Sequence, residues 1–215
     1  MTSIINADTS GGLTITSDTS GALDIQSAGT TKFAMDSSGN VSLAGNLAVT
    51  GLMPTGSIMQ VVTANFLGIQ TIAAAADNTF NFVDITSLSV AITPKTTSSK
   101  ILLMAQVNIG CNTADRIAAL RFTGGNADDF IGAAASNRQR VASAMNSPSG
   151  AGAMATNAHL TYVDSPATTS AVTYKVQGAP NFGSGTVAIN YVASDGDQTY
   201  FPRGASSLTA MEIAG

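Results

Sequence analysis

The first fifty residues alternate between apolar and polar positions. Leu13 and Ile15, Leu23 and Ile25, Phe33 and Met35, Val41 and Leu43, and Leu47 and Val49 each set two apolar side chains two positions apart. A period of two places both members of a pair on one face of a β-strand. The pairs recur because a short unit is repeated: DTSGGLTIT at 8–16, DTSGALDIQ at 18–26 and, more loosely, DSSGNVSLA at 36–44. The Asp-Ser/Thr-Ser-Gly opening of each unit is turn chemistry, because Asp bonds its own backbone two residues on and Gly supplies a positive φ. Residues 4–50 are therefore expected to form short strands separated by turns. Two apolar side chains per strand bury too little area, at roughly 25 cal/mol per Å², to offset chain entropy. Something must cover the stripe, either neighbouring copies of the chain or the surface of another protein. Three chains around one axis would bury all their stripes together. A homotrimer interface of Leu13, Ile15, Leu23, Ile25, Phe33, Met35, Val41, Leu43, Leu47 and Val49 is the expectation.

A linker at 51–57, GLMPTGS, interrupts the pattern with Gly and Pro. Longer β-type runs follow: SIMQVV (57–62), NTFNFVDI (78–85), LSVAIT (88–93), SKILLMAQVNIG (99–110), RIAALRF (116–122), HLTYVD (159–164), SAVTYKVQG (170–178), GTVAINYVAS (185–194) and SSLTAMEI (206–213). Turn signals such as TPKTTSSK and SDGDQ separate them. The fold class predicted is all-β: a repetitive short-strand stem over 1–50, then an antiparallel jelly-roll-like sandwich over 58–215. SIMQVV and SSLTAMEI are expected inside the sheets, with Val62, Leu102, Met104, Val107, Val172, Val187, Ile189 and Ile213 in the core. NRQRVASAM (137–145) fits a short helix or an edge strand.

Composition narrows the function. Charged residues make up 10% of the chain and the net charge is −4, so little is present to neutralise nucleic-acid phosphates. The N-terminus shows no signal-peptide pattern, and ILLMA is far shorter than the ~20 apolar residues that span a bilayer. His159 is the only histidine and Cys111 the only cysteine, which removes His-based triads, multi-His metal sites and internal disulfides within one chain. His159 is read as structural or surface, and Cys111 as a partly buried thiol. The acid pairs Asp128–Asp129 and Asp195–Asp197 suit glycosidase chemistry or Ca²⁺ in principle, but SDGDQT lacks the further ligands of a calcium loop and reads first as a turn. No phosphate-cradling Gly motif occurs, and no cofactor is expected. Tyr200-Phe201-Pro202-Arg203 sets two rings beside an Arg in a loop, fitting either a loop packed by its own aromatics or a surface that stacks on a sugar or protein.

The opening IINADTSGGLTITSDTSGALDIQSAGTTKFAMDSSGNVSLAGNLAVTG resembles the N-terminal part of bacteriophage fibre proteins, including those of cyanophages and marine phages. PTGSIMQVV, SLSVAITPKTTSSKILLMAQV and SSLTAMEIAG resemble the C-terminal β-sandwich of the same proteins. The resemblance implies a homotrimeric virion component made in the host cytoplasm, with a slender stem and a globular head. Its partners would be its own copies, other virion proteins of tail or capsid, and a host-surface glycan or protein. Neither nucleic acid nor membrane insertion is implied. Asp128, Asp129, Tyr200, Phe201 and Arg203 are the candidate receptor contacts, expected together at the head's far end. A capsid decoration protein and a tailspike-type glycan hydrolase are the alternatives.

Overall fold

The computed structural model describes residues 22–44, 53–74, 80–111, 116–146, 155–181, 185–192 and 195–215. The chain divides into two compact units, Met1–Gly51 and Leu52–Gly215. In the first, β1 (Leu23–Ser27), β2 (Thr30–Met35) and β3 (Val41–Leu43) form an antiparallel three-stranded sheet. Ala28 and Gly29 turn β1 into β2, both with positive φ, as a two-residue hairpin loop requires. The third repeat makes the second turn: the Asp36 carboxylate accepts from the backbone N–H groups of Ser38 and Asn40, both at 2.9 Å, and Gly39 takes φ 82°. Leu13, Ile15, Leu47 and Val49 lie outside the described residues.

The second unit holds β4 (Ile58–Phe66), β5 (Gln70–Ala73), β6 (Val83–Ile92), β7 (Lys100–Cys111), β8 (Ile117–Thr123), β9 (Ser143–Asn146), β10 (Ala155–Asp164), β11 (Val172–Pro180), β12 (Thr186–Ile189) and β13 (Ser206–Ile213). NTFNFVDI and LSVAIT are not two strands: residues 83–92 run through as β6. The break in their pattern is a bulge, with Ser87 at φ 62° and the β6–β11 register slipping between Lys175 and Gln177. Of the two readings of 137–145, its last residues take the edge-strand one, as β9 at the margin of its sheet.

One sheet runs β6-β11-β8-β9. In the other, β10 occupies one edge of β7 along Ile101–Ile109 and Gly110, while β13 and β12 share the opposite edge. β12 and β13 are thus two halves of one strand position, and β5 and β4 line up beyond them in the same way. Counting each interrupted pair once, in chain order, the sheets read 1-8-3-6 and 2-7-4-5. That order is an antiparallel jelly roll.

The pairings also define the two ends of this sandwich. Ile58, Ile213, Lys100 and Asp164 lie at the end where the chain enters. Gly110, Ala155 and Thr186 lie at the opposite end. At the entry end, Gly56 N–H donates to the Ala214 carbonyl and Ala214 N–H to the Ser57 carbonyl, both at 2.8 Å.

Between the sheets sit Phe66, Ile85, Leu88, Val90, Ile101, Leu103, Val107, Ile109, Phe122, Leu160, Tyr174, Val187, Ile189 and Leu208. Val107, Val187 and Ile189 are core as expected, and Val62 and Val172 pack against it half-buried. Leu102, Met104 and Ile213 are not core. A strand alternates, and β7 turns its odd-numbered side inward, which leaves Leu102 half-buried and Met104 exposed on the outer face. On β13 the same rule sends Leu208 and Ala210 inward together with Glu212, and Met211 and Ile213 outward. SSLTAMEI does run through the middle of its sheet, whereas SIMQVV belongs to the edge strand β4 and leaves Val61 exposed.

Candidate functional site

Because β12 and β13 continue one another, residues 190–205 leave the sheet from the middle of an edge and return to it two residues of β7 further on. Asn190 holds the mouth of this loop. Its side chain is fully buried, and its φ of 66° lies in the left-handed region that Asn tolerates better than most residues. The amide Nδ2 donates to the carbonyls of Phe66 (2.7 Å) and Gly68 (2.8 Å), closing the break between β4 and β5. Its Oδ1 accepts from the Ser206 hydroxyl at 2.6 Å, and that hydroxyl accepts from Asn108 N–H at 3.0 Å. The Asn190 backbone adds bonds to Asn108 and Gly204. One side chain therefore stitches both interrupted strands to β7.

Asn190→Ala takes the amide donor from the Phe66 and Gly68 carbonyls and the acceptor from the Ser206 O–H, which keeps only its bond from Asn108 N–H, at about 1–3 kcal/mol for each bond lost at a buried group. It also puts a Cβ residue without Asn's local bonds at positive φ, at roughly 1–2 kcal/mol. We expect a stability loss of about 3 kcal/mol or more in equilibrium urea unfolding. Asn190→Gly recovers only the backbone part, so it should sit about 1 kcal/mol above the Ala variant. Equal stabilities for wild type and the Ala variant would contradict this role.

Within the loop, the two readings of Tyr200-Phe201 divide between the rings. The Phe201 ring covers Gly196, where a Cβ would come within 2.7 Å of it. Tyr200, its ring centroid 4.6 Å from that of Phe201, is 66% exposed. The Arg203 guanidinium bonds Asp195 at 2.6 Å and stands 5.6 Å from the centre of the Tyr191 ring. This ion pair is largely exposed, so it orients Arg203 more than it stabilises the fold. Two open clefts flank Arg203. One, of about 370 Å³, is lined by Asn108, Tyr200, Pro202 and Gly204 among others. The other, of about 360 Å³, is lined by Asp195, Asp197, Gln198 and Phe201. Aromatic faces, an amide, a guanidinium and carboxylates on an accessible loop can bind a polar surface.

Asp128 and Asp129 do not join them. Both are exposed in a 3-10 turn, Ala127–Asp129, which follows β8 at the chain-entry end of the sandwich. That turn is anchored where Asn126 N–H donates to Asp164 Oδ2 at 3.2 Å. The Tyr200–Arg203 loop borders Asn108 and Ala155, towards the other end. The expectation of a common receptor surface is therefore corrected: β8 runs from the far end back to the entry end, so the turn after it cannot meet the 190–205 loop. Beside it, burial pushes the Tyr174 phenol far above its ordinary range, and its bond to Asp164 at 2.6 Å adds to this.

His159 is exposed on β10, and Cys111 is fully rather than partly buried. Among the described residues no group of three or more His, Cys, Asp or Glu is placed to hold a metal ion, and no helix is long and apolar enough to cross a membrane.

The first unit offers a different surface. Leu23 faces Met35, which faces Val41, and Ile25 faces Phe33, which faces Leu43. These six side chains make two apolar rungs on one face of a sheet whose Ile25, Val41 and Leu43 are exposed. Cross-strand contacts of this kind contribute only about 0.2–1 kcal/mol each, and the exposed Ile25, Val41 and Leu43 side chains leave apolar area in water that a further surface could bury.

No known protein family matches the chain, and no curated protein does. Solved structures with partial likeness include those of the infectious bursal disease virus Gx strain (TM-score 0.36, 14% identity, 79% of this chain and 43% of that one) and Gt strain (0.39, 12%, 82% and 45%). A further one is the VP2 subviral particle of infectious bursal disease virus (0.33, 12%, 85% and 44%). The chain spans less than half the length of each of these.

Proposed function

We propose that the chain is a structural protein of a bacteriophage virion that binds rather than catalyses. Residues 1–50 form the stem of a homotrimer, and the jelly roll is its head. The observation that carries this reading is the six-residue apolar ladder of Leu23, Ile25, Phe33, Met35, Val41 and Leu43, which needs a cover that identical stripes on two further copies supply with matched spacing. The head's receptor contacts are Tyr200, Phe201 and Arg203, on a loop pinned at its base by Asn190 and flanked by open clefts. A host-surface glycan or protein meets this loop, and several weak contacts on one particle add up through avidity. Asp128 and Asp129, at the entry end, are not part of that contact.

The test is adsorption. Tyr200→Ala combined with Arg203→Ala should slow adsorption of the particle to its host by about tenfold, the loss of roughly 1.4 kcal/mol, while both side chains are exposed enough to leave the thermal midpoint nearly unchanged. Unchanged adsorption, with capsids that turn fragile once the protein is stripped, would make it a decoration protein instead. Release of sugar from host polysaccharide, abolished by Asp195→Asn, would make it a hydrolase.

A further inference from the structure

The two outer faces of the jelly roll differ in chemistry. On the β6-β11-β8-β9 sheet, Asp84 bonds Lys175 (2.6 Å) and Gln177 (2.7 Å), Gln177 bonds Arg121 (2.8 Å), and the Arg121 guanidinium stacks on Phe82. That face is dressed for water. The outer face of the sheet containing β7 carries no carboxylate or guanidinium across β4, β13, β7 and β10, and its one ammonium, Lys100, lies at the lower edge.

The strand register arranges this face in bands. Just inside the entry-end residues Ile58, Ile213 and Lys100, Val61, Met211, Leu102 and Val163 form the first row that crosses all four strands, and it is apolar. The next row is Thr63, Thr209, Met104 and Thr161, and the one beyond it Asn65, Ser207, Gln106 and His159. Val61 (52%) and Val163 (46%) are exposed, so the first row puts apolar surface into water at the two margins of the sheet.

We infer that this face packs against the same face of another copy of the chain, with the copies parallel. A rotation axis along the strands keeps every residue at its height, so each band meets its own kind. Apolar meets apolar, hydroxyl meets hydroxyl, and amide meets amide, groups that both donate and accept. A face studded with one sign of charge would repel its own copy. Four strands spaced by about 4.8 Å, over some seven residues of about 3.4 Å, give a footprint of roughly 400 Å². That is below the ~800 Å² per partner of a self-standing interface, so the contact needs copies already held close. The stem supplies that tether, and to this extent the inference rests on the oligomeric reading above.

Cysteine cross-linking of the full-length protein tests it. Met104→Cys and Thr209→Cys, on the two middle strands, should each give covalently linked chains with a short bismaleimide. Ser89→Cys, exposed on the opposite sheet, should not, and native Cys111 is buried and silent. Links from neither variant in a protein of trimer mass would overturn the inference and leave the stem reading standing. Links in a protein of any other oligomeric mass would keep the inference and remove the trimer. Equal linking from Ser89→Cys, or a monomer without links, would overturn the inference.

Discussion

Glu212→Gln should destabilise the jelly roll by about 3 kcal/mol at neutral pH and remove part of its acid sensitivity. Glu212 is fully buried, although it belongs to the most polar class of side chain. It occupies the last inward position of β13, at the entry end, and three donors meet it there. Ser99 Oγ and Lys95 N–H donate to Oε1 at 2.6 Å each, and Gln60 Nε2 donates to Oε2 at 2.5 Å. Gln60 also reaches the Thr93 carbonyl at 2.7 Å, so one carboxylate ties β4, the turn between β6 and β7, and β13 together. Hydrogen bonds to a charged group are worth about 1.5–3 kcal/mol each. An amide in its place would turn an N–H towards one of these donors.

Burial alone would raise the Glu212 pKa, but the bonds from Ser99, Lys95 and Gln60 outweigh it and hold the group below its usual 4.5. A carboxylate with a lowered folded pKa contributes stability that is complete above the unfolded value and is lost as pH falls through the folded one. Urea unfolding of the wild type should therefore weaken below about pH 4.5, through a window in which the Gln variant loses less. A variant as stable as wild type at pH 7, or with the same acid slope, would contradict this role.

Phe33→Asp should convert the assembly to monomers while the second unit melts as before. Phe33 is the centre of a rung, between Ile25 and Leu43. Three copies of an unpaired carboxylate around one axis are repelled and desolvated together, at several kcal/mol per buried charge. That is enough to lower the association constant by more than about a thousandfold. The head keeps its fold because its core draws only on residues from Phe66 to Ala210 and their neighbours in the second unit. Phe33→Leu preserves the stripe and should remain assembled. Gel filtration beside thermal unfolding reads both outcomes, and a Phe33→Asp protein that keeps its assembled mass would place the contact elsewhere.

What the sequence made legible follows from how local each signal is. The DSSGN turn was readable because Asp36 bonds residues two and four positions on and Gly39 supplies the positive φ. The paired stripes of β1, β2 and β3 were readable because strong alternation needs no distant partner. In ILLMAQV the signal saturates: Ile101, Leu102, Leu103 and Met104 are all apolar, so nothing local says which parity faces in, and Leu102 and Met104 were placed on the wrong side. The buried roles of Asn190 and Glu212 were not legible at all. Phe66 lies 124 positions from Asn190 and Gln60 lies 152 from Glu212, and no short motif encodes such a meeting. The separation of Asp128–Asp129 from Tyr200–Arg203 needed the strand order, because only the direction of β8 decides to which end its following turn belongs.

The most direct test of the central claim is the mass of the purified full-length protein by multi-angle light scattering at micromolar concentration. One chain is 21.6 kDa, and the apolar ladder of the stem predicts a single species at three times that mass, falling to one chain's mass with Phe33→Asp. A wild-type protein that scatters as a monomer, with β1, β2 and β3 still formed, would contradict it.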